Sequence, residues 1–114
     1  MMYILYGISR CSTVKKALTC LNQANIPYRF HDYRVEGIDV ALIQHLADAV
    51  GWQTLLNRRS TSWRNLSPAQ RSDLSDNGLT QLFLQYPTLI KRPILQMNQR
   101  FIVGFDPAIY AQLS

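Results

Sequence analysis

The 114-residue chain is 47% hydrophobic and 17% charged, with five glycines and five prolines that do not cluster. That composition excludes an intrinsically disordered or collagen-like chain, and the length fits one domain around one core. The net charge of +5 is spread from Arg10 to Arg100 without a dense basic run; it steers anions toward the surface, but no stacking-aromatic module or recognition-helix pattern accompanies it, so direct nucleic-acid binding is not expected.

The opening stretch Met1-Met2-Tyr3-Ile4-Leu5-Tyr6 has no basic segment before it and stops at Gly7. It is far too short for a signal core or a membrane span, so a cytoplasmic protein without a membrane partner is expected. Tyr3 to Tyr6 reads instead as a strand, and Gly7-Ile8-Ser9-Arg10 leads from it to Cys11. Val14, Ala17, Leu18 and Leu21 then recur at offsets of three and four, which predicts a helix from Ser12 to Gln23 with one buried stripe. Asn25-Ile26-Pro27 breaks that helix, and Tyr28 to Tyr33 supplies a second strand. A right-handed β-α-β opening follows.

Asp39 is placed to cap a second helix carrying Leu42, Ile43, Leu46, Ala47 and Val50, with Gly51 as its stop. From about residue 52 to 86 the chain shows helical fragments and no strand. Trp52, Leu55 and Leu56 give one short apolar face, Ser67-Pro68 resembles a cap followed by a first-turn proline, and Thr80 is placed to cap Leu82-Phe83-Leu84. A strand begins at or after Pro93, Asn98-Gln99 reads as a hairpin turn into Arg100 to Val103, and Gly104 releases a last helix near Pro107 to Leu113. The expected fold is therefore α/β and thioredoxin-like: a mixed four-stranded sheet in a single domain over residues 1–114, with a helical insertion at about 52–86.

Cys11 carries most of the chemistry. A thiol at a helix start meets unpaired backbone N–H groups and the positive helix end, which favour thiolate. Arg10 and Lys15 lie close enough in sequence to add positive field. Position alone leaves two readings open, a nucleophile or a small buried residue. In Cys11-Ser12-Thr13-Val14 the second sulfur of a Cys-x-x-Cys pair is replaced by Val14, so a redox role needs an external thiol. Cys20 lies nine positions on, about 13 Å along one helix and beyond disulfide reach.

Arg92-Pro93 at a strand entrance is the second candidate element, Arg92 for the thiol site or as a surface cation before an edge proline. Arg58, Arg59 and Arg64 form a cationic face able to hold a carboxylate or oxyanion, with Arg59 the foremost candidate. His31 and His45 show no metal-ligand spacing, and Gly7 to Cys11 contains one glycine, so neither a metal nor a tightly bound nucleotide is expected.

Several stretches together resemble the ArsC/Spx/YffB-like family, nearest its YffB-like subgroup. They are Tyr6-Gly7-Ile8-Ser9-Arg10-Cys11-Ser12-Thr13-Val14-Lys15-Lys16-Ala17, Tyr28 to Val35, Gly51-Trp52, Leu55-Leu56-Asn57-Arg58-Arg59, Thr61-Ser62-Trp63-Arg64 and Ile90-Lys91-Arg92-Pro93. The resemblance implies a single active-helix cysteine at Cys11 and a cis proline at Pro93. It implies a glutathione-dependent thiol reductase, with glutathione as co-substrate and a glutathionylated substrate or glutaredoxin as partner. Arg92, Arg59, Arg10 and Lys15 are then the candidate binding cations. In the family's arsenate reductases three arginines hold the oxyanion; Arg92 fits one, while Asn57 and the Gly104-Phe105 region fall where the others stand. An arsenate-reducing enzyme with a weakened oxyanion site and a Spx-type regulator that binds RNA polymerase are the alternatives.

Overall fold

Short apolar and aromatic runs make four strands, β1 (Tyr3–Gly7), β2 (Tyr28–Asp32), β3 (Ile94–Met97) and β4 (Arg100–Val103), in a computed structural model that describes residues 2–113. They form one sheet in the order β2-β1-β3-β4. β1 runs parallel to β2, from Tyr3 opposite Tyr28 to Gly7 opposite Asp32. β3 is antiparallel to both β1 and β4. A parallel pair needs a crossover rather than a tight turn, and α1 (Ser12–Gln23) supplies it.

The expected stripe of α1 holds at Val14, Ala17 and Leu21, all fully buried with Leu5 and Leu95, while Leu18 packs at the edge of that core. The helix stops because Asn25 takes a left-handed backbone (φ 56). Ile26 N–H then donates to Leu21 O at 3.0 Å and Asn25 N–H to Asn22 O at 3.1 Å, satisfying the last carbonyls in a Schellman arrangement. Asn98 adopts the same backbone region (φ 57) in the two-residue hairpin between β3 and β4. The last helix, here α6 (Pro107–Ala111), begins where Asp106 Oδ1 accepts from Ala108 N–H, and it packs on α1.

The chain forms two compact units. Sheet, α1 and α6 belong to the first (Met1–Gly37 with Arg92–Ser114), and Ile38–Lys91 form the second. The expected insertion falls in this second unit, together with α2 (Val40–Val50). Asp39 caps α2 by accepting from Leu42 N–H at 2.8 Å, and Gly51 (φ 89) ends it. The short α3 (Trp52–Leu55), α4 (Thr61–Asn65) and α5 (Asp76–Gln85) follow, then a 3-10 turn at Pro87–Leu89. Leu56 and Ile90 meet in an isolated antiparallel bridge. Trp52 stacks over Phe83 at 6.5 Å between ring centroids.

Two cap expectations need correction here. Thr80 does not start a helix: α5 begins five residues earlier, where Ser75 Oγ accepts from Gly78 N–H, and the Thr80 hydroxyl is spent on Asp76 O at 2.7 Å. A hydroxyl inside a helix readily bonds back to the carbonyl four residues before it, so its presence does not fix a boundary. Ser67 does cap, in a reciprocal box with Gln70 (3.1 and 2.8 Å), yet the chain makes only a turn over residues 68–72. Pro68-Ala69-Gln70-Arg71-Ser72 offers no apolar stripe to bury, and a short helix without one is unstable in water.

Candidate functional site

The site begins at the carboxyl end of β1. Gly7 is buried, and a Cβ there would lie 2.7 Å from Val14 Cγ2. Glycine is thus what lets the first turn of α1 sit against the strand. The loop that follows is fastened from β2: buried Asp32 accepts from Ser9 N–H at 3.3 Å and from Arg34 N–H at 2.9 Å. Tyr33 N–H donates to Gly7 O at 2.8 Å. These bonds set where the chain turns into the helix.

Cys11 is the N-cap of α1, with extended backbone (φ −71, ψ 127). Its N–H donates to Ile8 O and its carbonyl accepts from Lys15 N–H, both at 3.0 Å. The sulfur is half-buried and lies 3.5 Å from Thr13 Oγ1. It makes no cap hydrogen bond of standard geometry, although the N–H groups of Val14 and Thr13 lie close enough to favour its anion. Burial pushes the thiol up. The Thr13 hydroxyl, the two N–H groups and the charge of Arg92 together outweigh that, so the pKa falls below the ordinary thiol value.

Arg92 reaches this point through strand register. Tyr6 pairs with Ile94, so the residues just before β3 sit beside the end of β1 from which the Cys11 loop departs. The Arg92-Pro93 peptide is cis, Pro93 is buried, and its carbonyl accepts from Gly104 N–H at 2.8 Å. Arg92 acts electrostatically on both Cys11 and the buried Tyr33. The other expected cations stand differently. Arg10 is exposed in the loop, and Lys15 is exposed on α1 beside Lys16 and Cys20. Arg59 lies in the second unit, lining a cleft of about 410 Å³ with Asn57, Arg58 and Lys91.

The structure also uses residues that sequence reasoning passed over. Thr13 was visible as a hydroxyl in the first helical turn, two positions beyond the thiol. Asp32 carried a weaker signal, a carboxylate at a strand end facing a turn that needs acceptors. His31 has a structural part: Nε2–H donates to Gly37 O at 2.9 Å, and the ring packs between Tyr6 and Tyr33. Among the described residues no group of three or more metal-binding side chains comes together. No helix among them is long and apolar enough to cross a membrane.

One consequence of this geometry is open to direct test. Thr13→Val removes the hydroxyl next to the sulfur while keeping its shape, so the pKa of Cys11 rises. Alkylation of Cys11 at neutral pH is expected to slow about fivefold, the effect of losing one hydrogen bond of ordinary strength. Its pH-rate profile moves to higher pH. At alkaline pH, where the thiol is fully ionised in both proteins, the rates converge.

The family model described as "ArsC family" matches residues 6–113. A solved structure named as a YFFB protein superimposes with a TM-score of 0.89 at 44% identity, covering 96% of each chain. An arsenate reductase (ArsC) related protein from Brucella melitensis superimposes with a TM-score of 0.79 at 38% identity, covering 99% of this chain and 97% of the other. The global transcriptional regulator Spx of Lactiplantibacillus plantarum is 27% identical over 107 residues, which are 92% of this chain and 80% of the regulator.

Proposed function

Because the chain belongs to the ArsC family and carries a helix-start thiol with no second sulfur beside it, we propose that it is a glutathione-dependent thiol–disulfide oxidoreductase acting through Cys11 alone. The observation that carries the reading is the Cys11 sulfur, half-buried at the N-cap of α1, with the Thr13 hydroxyl at 3.5 Å and the charge of Arg92 favouring its anion. The position where a local resolving cysteine would stand is Val14, fully buried in the core. An external thiol must therefore finish each cycle.

In the first step the Cys11 thiolate attacks the glutathione sulfur of a glutathionylated substrate. The new S–S bond joins Cys11 to glutathione, the old S–S bond breaks, and the substrate leaves as a thiolate that takes up a proton from solvent. A second glutathione, as thiolate, attacks the glutathione sulfur of the mixed disulfide. Oxidised glutathione departs and Cys11 returns as thiolate; in the net exchange the substrate's mixed disulfide and one glutathione thiol become the substrate thiol and oxidised glutathione. Arg92 supports both steps by stabilising the sulfur anion and by offering a partner to a glutathione carboxylate. No bound cofactor is required, and the cytoplasm supplies the reduced thiol pool.

The arsenate-reductase-related neighbour favours a second reading, attack of Cys11 on arsenate. The positions that the family resemblance aligns with two of the reductase arginines are neutral here, at Asn57 and at Gly104-Phe105. Asn57 Oδ1 is occupied with Arg59 N–H at 3.1 Å. An oxyanion would then lack most of the charge-assisted donors that a transferring arsenate needs, and this weighs toward disulfide chemistry.

The test is to expose the reduced protein to a glutathionylated peptide and trap the adduct by acid quench and mass spectrometry. A single glutathione mass on Cys11, removed by added glutathione in repeated turnovers, is expected. An accessible thiol that forms no adduct rejects the mechanism. Arsenite production above that of a Cys11→Ser control, with glutathione and glutaredoxin present, moves the assignment to arsenate.

A further inference from the structure

The turn after β2 converges on one residue. Asp32 closes the parallel ladder opposite Gly7, and Tyr33 N–H carries that ladder one step further by donating to Gly7 O at 2.8 Å. The Asp32 carbonyl accepts from Val35 N–H at 3.1 Å and from Glu36 N–H at 2.8 Å. Farther along, His31 Nε2–H donates to Gly37 O at 2.9 Å, and Arg29 pairs with Glu36 at 2.6 Å. The Asp32 carboxylate therefore stands on a braced backbone. The residue is only 7% exposed, and Oδ1 accepts from Arg34 N–H at 2.9 Å.

The second oxygen reaches out of β2 altogether. Oδ2 accepts from Ser9 N–H at 3.3 Å, two residues beyond Gly7 and two before Cys11. Gly7 and Ser9 are thus both pinned to Asp32, one by the ladder and one by the side chain. Ile8 to Cys11 form a turn closed by Cys11 N–H donating to Ile8 O at 3.0 Å, and neither Ser9 nor Arg10 has a positive φ, as in a type I turn. Cys11 is at once the last residue of that turn and the N-cap of α1. Ser9 N–H ties the turn, and with it the thiol, to β2.

We propose that Asp32 is a positioning residue for the reaction at Cys11, acting through its hydrogen bond to Ser9 N–H and not through its charge. The inference rests on Cys11 being the nucleophile. A carboxylate offers two acceptor oxygens, whereas an amide of the same shape offers one and presents a donor in place of the other. In Asp32→Asn the shorter, local bond to Arg34 keeps the acceptor. Ser9 N–H then faces an NH2 group, and the tether is broken. Released from β2, the turn no longer holds the sulfur in place toward Arg92, which precedes β3 on the other side of β1. Charge and tether predict opposite signs. Removing a negative charge near the sulfur would let Cys11 ionise at lower pH, while losing the tether makes it ionise at higher pH. The influences on the thiol are burial, Thr13, Val14 and Arg92, so the tether decides the sign.

The experiment uses Cys20→Ser protein, in which Cys11 is the remaining thiol, and follows iodoacetamide alkylation across pH. Asp32→Asn is expected to move the ionisation midpoint up and to slow alkylation at neutral pH about threefold, part of the share of one hydrogen bond. At alkaline pH the rates converge. Ser9→Pro removes the same N–H at the turn position where proline fits, and is expected to give the same shift. The double variant shifts no further than either single one, because both remove one bond. Alkylation needs no glutathione, so a failed glutathione turnover strikes the reductase reading while the midpoints still test Asp32. A midpoint that falls or stays unchanged in Asp32→Asn would overturn the proposal, and so would additive shifts in the double variant. Should Asp32→Asn fail to fold, an unshifted midpoint in Ser9→Pro overturns it alone.

Discussion

Cys11→Ser is expected to lower glutathione-dependent reduction of a mixed disulfide by about 10³-fold or more, to the level of the uncatalysed exchange. The reason is chemical. A serine oxygen forms no bond to sulfur that glutathione could later cleave, and at neutral pH it carries almost no anion even beside Thr13 and Arg92. Serine is nearly isosteric with cysteine, and the sulfur it replaces is half-buried at an N-cap, a position that serine favours. Stability should therefore change by less than about 1 kcal/mol. Retained melting behaviour with lost turnover separates the missing nucleophile from a damaged fold. The same variant divides the enzyme from the regulatory alternative: if the chain acts by holding RNA polymerase, co-purification survives the substitution.

Gly7→Ala should destabilise the protein by about 1–3 kcal/mol, the usual cost of forcing a methyl into filled space. The added Cβ would meet Val14 Cγ2 at 2.7 Å and Cγ1 at 3.1 Å. Valine is β-branched and held in one rotamer within a helix, so it cannot swing aside. Strand and helix have to part, and the helix turn that moves is the one bearing Cys11. Reactivity at Cys11 is expected to fall alongside stability. Val14→Ala then costs less in the Gly7→Ala protein than in the wild type, because it relieves the clash as well as opening a cavity. Urea unfolding of the four proteins gives the coupling directly, with about 1 kcal/mol expected for residues in contact. Additive effects would show that Gly7 does not set this approach.

The sheet and α1 were legible because their signals are local and strong. Alternating or continuous apolar runs mark β1, β3 and β4, the period of Val14, Ala17 and Leu21 marks α1, and Asn98-Gln99 marks the hairpin. The same holds for Asp39, whose carboxylate had a good helix behind it. Ser67 and Thr80 show the limit. Each has a side chain able to cap or to bond back to its own helix, and which it does depends on whether an apolar stripe follows and whether a better cap precedes it. The thiol site was half legible. A cysteine at a strand-to-helix junction announces itself, and so does the arginine before a proline. That Arg92 acts on this sulfur is decided by the register of β1 on β3, a long-range pairing that no local pattern reports.

Every step assigned to Cys11 requires its sulfur to become an anion more readily than an ordinary thiol does. In Cys20→Ser protein, where Cys11 alone reports, the rate of iodoacetamide alkylation across pH gives the ionisation midpoint of that sulfur in the folded state. The midpoint must fall below that of a cysteine in an unstructured peptide, and rise toward it in Thr13→Val. A midpoint at or above the peptide value, or a thiol that reacts only after unfolding, would contradict the account.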